Sequence, residues 1–266
     1  MKTLLVRSLI GIFLVSLMFS GNALSQERQT ITIDGSDAIF LAGRSDVSIP
    51  PADQPWNGPG TFLARHSSPT PEEILETVPA ILFGLSSGDV IRAFDPATGG
   101  VSFFNGIGDP FFGPSGNGVN GSSLSALDGI SGYIGPQGPL TGVFLDDTIP
   151  SSGPAPETLN FSDSGIGIDF AELTPQLNQV FYIGDGVDSS GLFQRFIAPA
   201  GTTRLALGIP DGFGFGGIPG AYDDNDGSYQ IRIGVNVNPV PEPGSTSCLI
   251  AALILRLSQR RRITMR

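Results

Sequence analysis

The stretch from Asp211 to Tyr229 brings together side chains that could hold a hard cation. Asp211 is followed by Asp223, Asp224, Asn225 and Asp226, with glycines interleaved throughout. Calcium takes roughly six to eight oxygen ligands at about 2.3–2.6 Å, a set that carboxylates, an amide and loop carbonyls can supply together. The glycines let backbone carbonyls turn inward at little steric cost. The spacing is not that of an EF-hand. With Gly227 at the loop glycine, the first ligand would be Tyr222 and the last Ile233, neither of them a carboxylate. The same residues also read as an acidic β-turn exposed to water.

Other patterns that could do chemistry fail on their missing partners. Gly84-Leu-Ser86-Ser-Gly88 has the nucleophile-elbow spacing, but the only histidine, His66, precedes it, whereas the triad order needs one later in the chain. Gly212, Gly214 and Gly217 have dinucleotide-loop spacing, but Pro219 follows and no βαβ pattern surrounds them. One histidine and no cysteine before Cys248 exclude the usual zinc ligand sets. Asp185 and Asp188 lie between two strand-like runs and read as turn-formers rather than an acid/base pair. Trp56, alone in a Pro/Gly-rich loop, reads as an anchor. The expectation is a protein that is not an enzyme.

Charge narrows the partners. Between Gln26 and Pro243 lie seven arginines, no lysine and all 25 carboxylates, a net charge of −18. Such a field repels nucleic acid and anionic lipid and attracts divalent cations. The only cysteine, Cys248, is near the C-terminus, so the intervening region has neither disulfide nor thiol chemistry.

The elements that must position these residues read as strands. Apolar runs recur between turn residues at Thr30–Asp34, Ala38–Ala42, Asp89–Phe94, Val101–Phe104, Leu140–Leu145, Val180–Gly184, Leu192–Ile197, Thr203–Gly208 and Ser228–Val235. Within the last, Tyr229, Ile231 and Ile233 alternate with Gln230 and Arg232, the period of a half-buried strand. Many short strands with Gly/Pro turns predict an all-β fold, a β-sandwich or jelly roll, spanning residues 26–238. A short helix is expected at Thr70–Thr77, where Pro71, Glu72 and Glu73 suit an N-terminus. Residues 105–139 read as loop, and residues 146–160 as a second long connection.

Both ends carry targeting features. Lys2 and Arg7 precede the mostly apolar run Leu9–Phe19, and small residues Ala23 and Ser25 stand before a cut at Gln26, so residues 1–25 read as a signal peptide. At the other end, Pro241, Glu242 and Pro243 precede the apolar run Cys248–Leu255 and the arginines Arg260, Arg261 and Arg262. An apolar segment followed by arginines acts as a stop-transfer signal. Residues 240–262 resemble the PEP-CTERM sorting signal of Gram-negative exopolysaccharide producers. The resemblance implies an exosortase partner, a C-terminal sorting helix that anchors the precursor transiently in the inner membrane, and delivery to the cell surface or beyond. Eight apolar residues before Arg256 are few for a full span, so the arginine would have to snorkel.

A second resemblance bears on the acidic loop. Gly191-Leu-Phe-Gln-Arg-Phe-Ile-Ala-Pro199, followed by Ile218-Pro-Gly-Ala-Tyr-Asp-Asp-Asn-Asp-Gly-Ser-Tyr229, is similar to the calcium-dependent galactose-binding lectins of bacteria. The similarity runs from about residue 180 to 235, with weaker echoes at Val90–Phe104 and Pro139–Phe144. It implies a calcium site formed by the side chains of Asp224 and Asn225 and the carbonyl of Ala221. Asp211 joins as the upstream carboxylate if an insertion is allowed, since the ungapped position is Gly217, and Phe103 offers a second carbonyl. The calcium would in turn hold two hydroxyls of an extracellular polysaccharide. The family's histidine- and glutamine-bearing sugar loop has no counterpart in residues 105–139. The other expectation is therefore a structural, exopolysaccharide-associated matrix protein that keeps the scaffold without specific sugar binding.

Overall fold

The computed structural model describes residues 29–46, 77–103 and 110–237. Within them the chain forms strands β1 (Gln29–Asp34), β2 (Ala80–Phe83), β3 (Val90–Ala93), β4 (Thr98–Ser102), β5 (Asn117–Leu124), β6 (Tyr133–Gln137) and β7 (Thr141–Leu145). There follow β8 (Leu159–Asn160), β9 (Glu172–Leu173), β10 (Val180–Tyr182), β11 (Arg195–Ile197), β12 (Arg204–Gly208), β13 (Gly216–Gly217) and β14 (Asp226–Val235). The only helical pieces among the described residues are 3-10 turns of three residues each. The fold is all-β, as the spacing of apolar runs and turn residues predicts.

Three sheets result. The first runs β1-β14-β3-β11-β9, with β4 also on β14. Strand β14 organises it: β1 pairs along one edge from Gln29↔Ile233 to Asp34↔Ser228, while β4 and then β3 share the other. Its alternation holds, with Tyr229, Ile231 and Ile233 buried and Gln230 exposed. The second sheet is β10-β7-β12-β2, antiparallel throughout, with every residue of β7 buried. The third is β13-β5-β6-β8.

One hydrophobic core joins the sheets. Phe181 of β10 lies 5.1 Å from Phe144 in its own sheet and 5.2 Å from Phe196 of the first sheet, ring centre to ring centre. Phe161, just beyond β8, reaches Tyr182 at 6.0 Å. Each fully buried Phe stabilises the fold by roughly 1.5–3 kcal/mol relative to exposure, so aromatics supply much of what holds the sheets together.

Two sequence expectations need correction. Residues 38–42 are not a strand: Ala38 bridges Ile209, and Ile39–Leu41 form a 3-10 turn. All five residues are buried, and a short run that is apolar on every side has no periodicity to separate strand from turn. Residues 105–139 are not simply loop, because β5 and β6 lie within them. Strand β5, Asn117-Gly-Val-Asn-Gly-Ser-Ser-Leu124, is mostly polar and Gly-rich, so its ladder is made by backbone groups that composition hides. Its pairing with β6 slips between Asn117 and Ser122, and Pro136 falls in that slip, where its missing N–H costs no ladder bond. Residues 146–160 are a long connection with one 3-10 turn, Pro150–Ser152, before β8. The signal peptide, Trp56, His66, nearly all of the expected helix at Thr70–Thr77, and the whole sorting tail lie outside the described residues.

Candidate functional site

The acidic loop leaves β12 at Gly208 and returns at β14. Tyr222, 1 % exposed, ties its base together: its hydroxyl donates to the Ile209 carbonyl at 2.6 Å and accepts the Asp211 N–H at 3.1 Å. The N–H of Gly220 donates to the Asp211 carbonyl at 3.0 Å. These bonds hold Asp211 against the segment containing Ala221, although the two are ten positions apart in sequence. Asp211 is buried, and its Oδ1 accepts the N–H of Gly212 at 2.7 Å.

Ala221 has φ 61°, a left-handed conformation that costs a non-glycine residue roughly 1–2 kcal/mol. It starts the 3-10 turn Tyr222–Asp224. Asp224 is half-buried at the end of that turn, and Asn225 behind it is 2 % exposed. The Asn225 Nδ2 donates to the Gly35 carbonyl at 3.0 Å. Only the amide nitrogen can pair with a carbonyl, so the bond fixes which end of the side chain is oxygen. That oxygen, Oδ1, is buried and has no hydrogen-bond partner among the described residues.

Phe103 comes from the far side of the sequence, one residue past β4. Its ring packs edge-on to Phe215 at 5.5 Å and lies over Gly138, where any Cβ would overlap it. The Gly138 carbonyl accepts the buried Tyr229 hydroxyl at 2.8 Å, so β4, β6 and β14 meet here. Burial, and then the charge of Asp211, push the Tyr229 hydroxyl above its usual range.

Four of the five residues expected from the sequence, Phe103, Asp211, Ala221 and Asp224, line one cavity of about 390 Å³. Asn225, which follows Asp224 in sequence, is not among the residues that line it. Among the described residues, the rest of the wall is Gln137 and residues 212–215. Two of the five non-glycine residues with positive φ among the described residues, Phe215 and Ala221, border this space, as backbone strain tends to collect at functional sites.

The candidate ligand atoms are oxygens: two carboxylates in the lining, the Asn225 amide oxygen and main-chain carbonyls, the donor set of a hard cation rather than of zinc. A buried orphan oxygen fits such an ion because coordination satisfies a group that otherwise stays unpaired. No group of three or more His, Cys, Asp or Glu side chains gathers among the described residues, so carbonyl and amide oxygens would have to complete any coordination shell. Asp226 is exposed at the start of β14, and the side chain of Asp223 lies outside the described residues.

Three cavity residues escaped sequence reasoning. Gln137 ends β6, inside the segment read as loop, and its Oε1 accepts the Asn117 Nδ2 at 2.9 Å. Phe213 and Phe215 alternate with glycines between Asp211 and Pro219, a pattern visible in the sequence but without a partner to give it meaning. Asp188 acts as a turn-former: its Oδ1 accepts the N–H groups of Ser190 and Leu192, both at 2.9 Å.

Comparison with protein families, curated proteins and solved structures finds no match to this chain. Among the described residues no helix is long and apolar enough to cross a membrane.

Proposed function

We propose that this protein is an exported, calcium-dependent carbohydrate-binding module, a lectin-like β-sandwich that engages extracellular polysaccharide. The observation that carries the reading is the convergence of Phe103, Asp211, Ala221 and Asp224 on one cavity, from positions more than a hundred residues apart. The buried, unpartnered oxygen of Asn225, the residue that follows Asp224, supports it. In this reading Asp211, Asp224 and Asn225, with the carbonyls of Ala221 and Phe103, hold calcium, and the ion supplies direct coordination to sugar hydroxyls. The −18 charge between Gln26 and Pro243 favours a divalent cation and disfavours nucleic acid. The signal peptide and the tail with Pro241-Glu-Pro243 and Arg260–Arg262 direct the chain through the inner membrane to an exosortase and on to the surface or the surrounding matrix.

Thermal unfolding in a calcium titration tests it. A ligand of the native state alone stabilises by mass action, about 2.7 kcal/mol at a hundred times Kd. Melting temperature should rise with calcium, and Asp224→Ala should remove the rise. No shift at millimolar calcium defeats the metal site. The missing family sugar loop favours a second reading, a matrix scaffold without sugar recognition, and a glycan array that stays blank in saturating calcium would decide for it.

A further inference from the structure

We infer that the segment from Gly212 to Gly217 is a preformed aromatic subsite, in which Phe213 stacks on the apolar C–H face of a neutral sugar unit held in the cavity. The inference rests on the carbohydrate-binding reading and goes beyond it by naming the residue that selects the ligand.

Phe213 is 59 % exposed, yet it lines the cavity instead of joining the core below. Its position is set by its neighbours. Phe215, two residues on, is buried against Phe103, and the Phe215 N–H donates to the Gly212 carbonyl at 2.6 Å, closing a tight turn. Gly214 and Phe215 both have left-handed φ, 62° and 58°. The next two residues, β13, are sewn onto β5 in parallel register, Gly216↔Ser123 and Gly217↔Leu124, and the Ser125 N–H donates to the Gly217 carbonyl at 2.7 Å. The turn is therefore anchored at both ends, with one phenylalanine rooted in the core and the other held at the cavity. A backbone turn fixed in advance loses little entropy when a ligand covers it.

The lining also selects the chemistry. Phe103, Phe213 and Phe215 line the cavity together with the polar side chains of Asp211, Asp224 and Gln137. A sugar ring has hydroxyls at its edge and C–H groups on its face, so it matches both at once. Among the described residues no lysine or arginine lines the cavity, so a uronate or sulfated unit would find no side-chain cation there, which disfavours it relative to a neutral one.

Calorimetric titration of the full processed domain in saturating calcium, with methyl α-galactopyranoside and the methyl glycosides of glucose and mannose as probes, tests the inference. Phe213→Ala should weaken the best-bound glycoside about ten-fold, while Phe213→Trp should retain it. Calcium affinity, measured separately without sugar, and melting temperature should be unchanged in both variants. A Phe213→Ala protein that binds the glycoside like wild type overturns the subsite while leaving the lectin reading intact. Failure of the wild type to bind any of the three glycosides overturns the subsite too. Absence of calcium binding alongside a sugar affinity that depends on Phe213 would sink the metal reading and uphold the subsite.

Discussion

The side-chain amide of Asn225 donates to the carbonyl of Gly35 at 3.0 Å, tying the start of β14 to the residue that follows β1, 190 positions earlier. The return bond runs from the Gly35 N–H to the Gly227 carbonyl at 2.9 Å. A Cβ on Gly35 would stand 3.1 Å from the Asn225 Cβ, so only glycine lets the two backbones approach this closely without a shift. The candidate cation site is thus braced by the pairing of the first and last described strands.

Replacing Asn225 with Ala should act twice. It leaves the buried Gly35 carbonyl without its donor, a loss of about 1–3 kcal/mol in calcium-free buffer. It should also shrink the stabilisation that calcium confers. Urea unfolding of wild type and variant, with calcium and with chelator, separates the two effects. Equal calcium increments in both proteins would remove Asn225 from the ligand set.

Tyr222→Phe deletes one hydroxyl and disturbs two buried groups, the Ile209 carbonyl and the Asp211 N–H. We expect a loss of about 1–3 kcal/mol without change of fold, and weaker calcium binding because Asp211 loses its brace. Circular dichroism melts report the first, and competition with a calcium-sensitive dye reports the second.

Asp37 should give the protein a stability that falls as pH rises. Burial pushes its carboxyl from the ordinary 3.8 up to about 6, against the opposing hydrogen bonds from Thr77 and from the Asp34 N–H. Between those values the native state binds the proton more tightly than the unfolded chain does. The contribution is therefore fully present below 3.8 and is lost as pH climbs through 6. Its size is about 3 kcal/mol, from the ordinary conversion of a two-unit shift. Denaturant midpoints measured from pH 3.5 to 7 should show the decline, and Asp37→Asn should flatten that part of the profile.

Arg44 is 5 % exposed and bonded to two carboxylates, its Nε to Asp46 at 2.8 Å and a terminal nitrogen to Asp128 at 3.0 Å. The carboxylates are about one-third and one-half exposed, so the buried member of the cluster is the cation. Removing both acids, by Asp46→Asn with Asp128→Asn, should destabilise the fold, because a buried guanidinium then loses these counter-charges. Arg44→Met should cost less, since it removes the buried charge itself and leaves two hydrated carboxylates. Chemical unfolding of the two variants compares them directly, and the reverse order would refute the account.

Strands whose side chains alternate or are continuously apolar were readable from the chain alone. The run from Ser228 to Val235 lies within β14, and those at Leu140–Leu145 and Thr203–Gly208 each begin one residue before β7 and β12. Hydrophobic burial acts through side chains, and side chains are what a sequence displays. Strand β5 escaped because its stability lies in backbone hydrogen bonds to β6 and β13, which Asn, Gly and Ser neither announce nor forbid.

The same division governs the site. Acid-rich composition and the Asp-Asn pair after Pro-Gly determined which loop could offer oxygens to a cation. Tertiary structure alone decided that Phe103 and Gln137 stand across from that loop, that Tyr222 draws Asp211 back beside Ala221, and that Phe213 faces the cavity. Ligand chemistry is local and legible in residue types. A cavity is a relation between segments distant in the chain, and it exists only after sheet pairing has brought them together.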